Sequence, residues 1–275
     1  MYPLGRTGKA GGVRVLFVGD VVGKVGRMVL KEKLRRAQSE TQADFTVVNV
    51  ENAAGGFGLT GNVWDELRRL PIDVFTSGNH IWDKKETLPL LDSEPRLLRP
   101  ANYPDGNPGR GLCVVASRAG VPVAVLNLQG LVFMVPTQSP FAVGDRLLAE
   151  VGTQARVIIV DMHAEATSEK QAMAWYLDGR VSGVFGTHTH VPTADERILP
   201  GGTAAQTDVG MTGPYEGVIG FKPKEVLERF LYATPRALEP ATRGGALCGV
   251  VVDVDEATGR ARSVARVRLE GDVSE

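Results

Sequence analysis

The chain has 275 residues, with 31 Lys and Arg against 32 Asp and Glu and a net charge of −1, so it carries no overall basic field of the kind that holds nucleic acid nonspecifically. No stretch approaches the roughly 20 uncharged apolar residues of a membrane-spanning helix. Cys113 and Cys248 stand far apart without a CxxC spacing and read as two reduced, buried thiols of a cytoplasmic protein.

The opening MYPLGRTGKAGG is short, polar and glycine-rich, and is expected to be a flexible tail over 1–12, followed by a single domain over 13–275. Short apolar, β-branched runs follow at 13–18, 45–50, 74–76, 123–126, 157–160 and 184–185, a pattern that suits strands buried on both faces of a sheet. Between several of them lie stretches with helical spacing. MVLKEKLRRAQ (28–38) aligns Val29, Leu30 and Leu34, VWDELRRL (63–70) aligns Val63, Leu67 and Leu70, and EKQAMAWYL (169–177) follows a Thr/Ser cap. RPANYPDGNPGRG (99–111) reads as a loop, its YPDGNPGRG part as surface punctuation. ALCGVVVDVDEATGRARSVARVRLE (246–270) reads as two long strands around a turn, an antiparallel hairpin. The fold class is therefore α/β, with mixed sheets.

Each of five apolar runs is followed by a polar group that can bind a cation. The first ends in Asp20, the second in Glu51 and Asn52, the third in Asn79 and His80, the fifth in His163, and the sixth in His188 and His190. All four histidines of the chain thus fall at the C-terminal ends of strands, where ligands bind in open α/β sheets. Taken singly, Asp20 is a cap or turn residue and each histidine an ordinary satisfied side chain. Their coincidence at one topological place points to a metal site. Imidazole, carboxylate and amide oxygen without thiolate suit Fe, Mn, Zn or Ni, and exclude a Cys-rich structural zinc site. The donors are enough for two ions sharing a carboxylate, roughly 3.5–4 Å apart, a spacing that clamps a phosphoryl group for in-line attack.

The motifs GD (19–20), GNH (78–80), a lone His163 after a strand and GTHTH (186–190) resemble those of the calcineurin-like metallophosphoesterases. FVGDVVGKVGR, NVENAAGGFGLT, TSGNHIWD, HAEATSEK, GTHTHVPTADERILP and TDVGMTGP bring the chain closer still to the YmdB-like branch, over most of 13–254. Val22 stands where the wider superfamily has a second ligand of its first motif, and Glu51 where it has a bridging Asp. Both departures are normal for the YmdB-like branch.

That resemblance implies a metallophosphoesterase-type sandwich of mixed β-sheets flanked by helices. It implies two metal ions, iron favoured, with manganese or zinc as alternatives. Asp20, Glu51 and His190 would hold one ion with Asn52 nearby; Glu51 as bridge, Asn79, His163 and His188 would hold the other. His80 would be the general acid that protonates the leaving alkoxide, apt because its unperturbed pKa lies near neutrality. The implied activity is hydrolysis of a small phosphodiester, with 2',3'-cyclic nucleotides as candidate substrates, through a metal-bridging hydroxide. Phosphomonoester or phosphoprotein hydrolysis on the same site, and a regulatory or RNA-associated scaffold, are the alternatives. No membrane partner is expected, and a homo-oligomer is compatible with the resemblance.

Four further features each keep two readings. AAGGFGLTG (53–61) is either a loop near substrate or a plain loop leading into a helix near Asn62. TDVGMTGP (207–214) is either a pocket wall or a glycine-rich turn. Glu165 either orients a ligand histidine or is solvated. Asp83 either tunes His80, three residues before it, or does not.

Overall fold

The computed structural model describes residues 11–271. Of the tail expected over 1–12, residues 1–10 lie outside the described residues, and Gly12 already pairs with Asp255.

In chain order the strands and helices are β1 (Gly12–Val18), β2 (Asp20–Val21), α1 (Gly23–Thr41), β3 (Phe45–Asn49), α2 (Gly61–Leu67) and β4 (Val74–Thr76). A 3-10 turn (Asn79–Trp82) and α3 (Thr87–Ser93) lead to β5 (Leu112–Ala116) and β6 (Pro122–Gln129). Then come α4 (Pro140–Val151), β7 (Val157–His163), α5 (Thr167–Tyr176), β8 (Gly183–Thr187), β9 (Arg197–Ile198), β10 (Ala204–Gln206) and β11 (Met211–Pro214). The chain closes with α6 (Pro223–Tyr232), β12 (Gly245–Asp255) and β13 (Ala261–Gly271).

These strands form two mixed sheets. The first runs β2-β11-β12-β1-β3-β4, with β13 paired to β12. Its β1, β3 and β4 are parallel neighbours, while β12 lies antiparallel to β1. The second runs β5-β6-β7-β8-β10-β9, parallel through β6, β7, β8 and β10 and antiparallel at both edges. The expected hairpin is the β12–β13 pair.

Side-chain alternation decides how the sheets stack. Val13, Val15, Phe17, Phe45, Val47 and Val74 of the first sheet meet Val123, Val125, Val157, Ile159 and Phe185 of the second in one buried core. The opposite faces are covered by helices. Val29, Leu30 and Leu34 of α1 pack with Trp64 and Leu67 of α2 against Leu16, Val18 and Val48. Val143 and Leu147 of α4 and Met173 of α5 cover Ala124, Leu126 and Val160. The result is a helix-sheet-sheet-helix sandwich, as the sequence implied.

The first helix begins at Gly23, six residues before the Val29, Leu30 and Leu34 stripe that betrays it. Its N-terminal turn, GKVG, carries glycine because β11 runs directly against it: a Cβ on Gly26 would collide with the Thr212 carbonyl oxygen. Helices α3, α4 and α6 escaped the sequence reading altogether. Lys222-Pro223 and Ser139-Pro140 place Pro in the first turn of α6 and α4, the start signal that would have revealed both. Of the two cysteines, Cys248 is buried and Cys113 only half-buried, and both are free thiols.

Candidate metal centre

The polar residues singled out from the sequence come from both sheets and meet at one end of the sandwich. Asp20 follows β1, Glu51 and Asn52 follow β3, and Asn79 and His80 open the 3-10 turn after β4. From the second sheet, His163 ends β7, and His188 and His190 follow β8. Parallel β1, β3 and β4 on one side and β7 and β8 on the other all point their C-terminal ends at the same place.

Glu51, His163 and His188 each bring one donor atom within 4.8 Å of the others. His163 Nε2 lies 3.1 Å from Glu51 Oε1, 3.1 Å from His188 Nδ1 and 3.1 Å from Asn79 Oδ1. Asn52 links this group to the next histidine, its Nδ2 lying 3.1 Å from both Glu51 Oε1 and His190 Nε2. Glu51 thus stands between the His163 and His190 groups. Asp20 is set slightly apart: its Oδ2 accepts the His188 backbone N–H at 3.1 Å, and its Oδ1 is 3.9 Å from His163 Nδ1.

Hydrogen bonds behind each imidazole decide which nitrogen faces inward. His190 Nδ1 lies 2.8 Å from the Ile219 carbonyl and must donate to it, which leaves the Nε2 lone pair toward Asn52 and Glu51. Thr187 donates its hydroxyl to Asp161 Oδ1 at 2.6 Å, so that hydroxyl accepts from His163 Nδ1–H at 2.8 Å and frees His163 Nε2. Glu165 Oε2 sits 3.1 Å from His188 Nε2 and leaves His188 Nδ1 facing the cluster. Of the two readings of Glu165, the structure has the carboxylate on the histidine.

Electrostatics agree with a cation's place. Burial opposes ionisation of Glu51, but His163 beside it, with His80 and His188, outweighs that and holds the carboxyl below the usual range. His163 is pushed up to about 9: burial disfavours its charge, and the Glu51 carboxylate more than offsets this. Burial and the neighbouring His163 lower His188 to about 3. Burial raises Asp20 and takes Asp161 to about 7.

Two observations test whether the residues fit metal ions. Asp20 Oδ1 and Asn52 Oδ1 are buried without a hydrogen-bond partner, a costly state for oxygen lone pairs unless a cation accepts them. Gly78 leaves open the space between His163 Nε2 and Glu51 Oε2, which a Cβ there would fill. With imidazole, carboxylate and amide donors converging on those gaps, the residues fit.

His80 stands at the mouth of this centre. Its backbone N–H donates to Glu51 Oε2 at 3.0 Å, its Nδ1 lies 2.8 Å from Asp83 Oδ2, and Phe57 packs its ring edge-on at 4.9 Å. Asp83 thus contacts His80, and AAGGFGLTG both borders the pocket, through Phe57, and leads into α2 at Gly61. TDVGMTGP does not line the pocket. Its Asp208 lies behind the histidine loop, accepting from Lys170 Nζ at 2.7 Å and from the Thr189 hydroxyl at 2.7 Å. The tight turns of GTHTH force positive φ at His188 (100°) and His190 (66°), uncommon for residues with a side chain.

The cavity over the cluster measures about 610 Å³ and is walled by Phe57, Ile219, Phe221, Ala237 and Leu238, with Arg229 and Arg236 also in its lining. Sequence reasoning passed over these residues because most of them come from α6 and its flanks.

Fold and centre together define a metallophosphoesterase-type protein. The chain belongs to the YmdB-like protein family, whose model matches residues 16–267. Over 260 residues it is 46% identical to a 2',3'-cyclic-nucleotide 2'-phosphodiesterase of Bacillus subtilis (strain 168), covering 94% of this chain and 98% of that protein. A crystal structure of a protein from Thermus thermophilus superposes with a TM-score of 0.88 at 41% identity, covering 94% of this chain and 99% of that one. A phosphatase structure from Mycoplasma pneumoniae matches with a TM-score of 0.88 at 36% identity and 94% coverage of both chains.

Proposed function

We propose that this protein is a metal-dependent phosphodiesterase acting on small diesters, with nucleoside 2',3'-cyclic phosphates as its substrate class. The observation that supports it most is the meeting of Glu51, His163 and His188 donors within 4.8 Å, joined through Asn52 to His190. The Bacillus subtilis relative, alike over nearly the full length of both chains, supplies the substrate class.

Glu51, Asn79, His163 and His188 would hold one ion, and Asp20, Glu51, Asn52 and His190 a second, with Glu51 shared. Iron is the metal this reading favours, with manganese or zinc able to fit the same donors. Bound there, such ions supply Lewis acidity toward the phosphoryl oxygens and lower the pKa of water.

The remaining chemistry belongs to the chain. The Ile219 carbonyl, the Thr187 hydroxyl and Glu165 fix which nitrogen of each imidazole faces the cluster, so the rings need no rearrangement and only His163 has a proton to give up as an ion binds. His80 delivers a proton to the departing oxygen. Asp83 on Nδ1 and Phe57 against the ring hold the imidazole in place. The apolar wall of the cavity keeps bulk water from the reacting diester.

The test is turnover of adenosine 2',3'-cyclic phosphate by protein reconstituted with iron or manganese, with adenosine 3'-phosphate as the expected product. Failure to hydrolyse any phosphodiester after reconstitution would move the protein to the binding or regulatory class. A marked preference for monoesters would instead make it a phosphomonoesterase.

A further inference from the structure

The cavity holds more than a scissile phosphate requires, and its lining has a charged part that the reaction leaves unused. Glu51, His188 and His190 line it where the diester reacts, and Phe57, Ile219 and Phe221 form its apolar wall. Arg229, in the last turn of α6, and Arg236, just beyond the helix, complete the lining. Arg236 is aimed by Glu228, whose Oε2 accepts its Nε–H at 2.9 Å. Arg229 makes no hydrogen bond or ion pair among the described residues, although Glu225 sits one turn before it on the same helix. Besides the polar cluster of Glu51, Asn52, His80, Glu165, His188, Thr189 and His190, the only polar side chains in the lining are these two arginines, whose guanidinium groups suit a second phosphate.

We propose that the preferred substrate carries a second phosphate, on the ribose 5' oxygen, and that Arg229 and Arg236 receive it. The inference rests on the 2',3'-cyclic phosphate reading above. In such a substrate the 2' and 3' oxygens are both tied up in the reacting diester, so the 5' oxygen is the one ribose hydroxyl position left to carry an anion. That chemistry has two sources: a free nucleotide phosphorylated at its 5' end, or the last residue of an RNA strand that ends in a cyclic phosphate. In the second case the chain can leave the pocket only from the 5' side, because the cyclic phosphate ends it on the other.

The experiment compares kcat/KM for adenosine 2',3'-cyclic phosphate, for its 5'-phosphorylated form, and for an adenosine dinucleotide ending in a 2',3'-cyclic phosphate. Wild-type protein and Arg229→Glu and Arg236→Ala variants are assayed at one fixed salt concentration. A charge-assisted contact of this kind corresponds to about a tenfold gain for the substrates bearing the second phosphate. Arg229→Glu is expected to remove that gain, lowering kcat/KM for those two at least about fivefold more than for the simple cyclic nucleotide. A larger gain for the dinucleotide assigns the site to RNA ends, and an equal or larger gain for the 5'-phosphorylated mononucleotide assigns it to free nucleotides.

Calorimetric binding of adenosine 3',5'-bisphosphate and adenosine 3'-phosphate gives a readout that needs no turnover. The bisphosphate should bind about tenfold more tightly to wild type, and that margin should vanish in Arg229→Glu. Equal affinities, absence of any kinetic gain, or an equal fold loss on all three substrates would overturn the proposal. The last outcome would place the arginine on the reacting phosphate instead. If no cyclic nucleotide is turned over but a bis-aryl phosphate is, the substrate reading fails, and the calorimetric comparison still decides the second-phosphate site.

Discussion

Thr189 donates both its backbone N–H, at 3.1 Å, and its hydroxyl, at 2.7 Å, to a single oxygen of Asp208, Oδ2. The same oxygen accepts from the buried Lys170 ammonium at 2.7 Å, and Asp208 Oδ1 accepts the Gly210 N–H at 2.8 Å. The residue between His188 and His190 is thereby pinned to a buried ion pair, which fixes how far apart the two imidazoles stand. Thr189→Val removes one of these bonds and should cost about 1 kcal/mol, whereas Thr189→Ser keeps it. The metal bound per chain, measured by elemental analysis after dialysis, should fall in the valine variant and be restored in the serine variant. Lys170→Met strands a buried carboxylate and should cost about 3–5 kcal/mol, seen as a clear drop in the unfolding temperature. Equal metal content in the Val and Ser variants would show that the clamp does not set the histidine loop.

Gly78 gives a sharper test of where a cation sits. A Cβ at this position would fall on His163 Nε2 and Glu51 Oε2, in the space their donor atoms share. Gly78→Ala should therefore abolish metal retention and turnover together, while far-UV circular dichroism still reports the sandwich. An alanine variant that keeps its full metal content would place the ion elsewhere.

Much of this site is legible in the sequence because strand ends are. Runs such as VIIVDM and GVFGT are recognisable without partners, and whatever follows them lands at one edge of a sheet. Asp20, Glu51, Asn79, His163 and His188 could be placed that way. The supports behind them could not. Asp161 and Thr187 lie 26 residues apart, and Lys170 and Asp208 lie 38 apart, so their pairing exists only once β7, β8, α5 and the turn between β10 and β11 are packed. Asp161 also occupies a strand interior, where an apolar residue is the ordinary expectation. Arg229 and Arg236 belong to a helix and its exit whose apolar residues, Val226, Leu227, Phe230 and Leu231, recur at helical spacing, although only Val226 is buried. That spacing and the Pro223 start were both available signals of the helix, but neither shows that its arginines reach the pocket.

Metal affinity should depend on pH through one proton. His163 is pushed up to about 9 by the Glu51 carboxylate, whereas His188, lowered to about 3 by burial and His163, is already neutral. Binding at Glu51, His163 and His188 must displace the His163 proton, so affinity should rise about tenfold per pH unit from roughly pH 6 to 9 and level off above. Chelator competition across that range measures the slope, and a slope of two protons would contradict the assignment. The same shift carries a sign for the metal-free fold. A histidine with a raised folded pKa contributes its full stability below the unfolded value of about 6.5, and that contribution is lost as pH rises through about 9.

His80→Ala should keep its metal and lose activity according to leaving group. His80 touches the ligand cluster through its backbone N–H to Glu51, which alanine retains. Diesters with poor alkoxide leaving groups should slow by about 10²–10⁴-fold, and p-nitrophenyl diesters far less, because p-nitrophenolate needs little protonation. Asp83→Asn, which weakens the hold on Nδ1, should show the same pattern in milder form. Equal losses on both substrate types would remove the acid role from His80.

The histidine loop should also reveal what its geometry costs. His188 adopts φ 100° and His190 φ 66°, a backbone region that favours glycine, at about 1–3 kcal/mol for a residue with a side chain. His188→Gly relieves that strain while deleting the imidazole and its contact with Glu165, a side chain half exposed to water and so contributing little. The metal-free variant should therefore unfold at a temperature about 2–4 °C above that of metal-free wild type, for a net gain of about 1 kcal/mol. With metal added the order should reverse, because ions that bind the folded state stabilise wild type and the variant has lost a donor. Thermal unfolding of both proteins, with and without manganese, reads this directly. A variant less stable than wild type in both conditions would mean that the loop is not strained and that its positive φ angles belong to ordinary turn geometry.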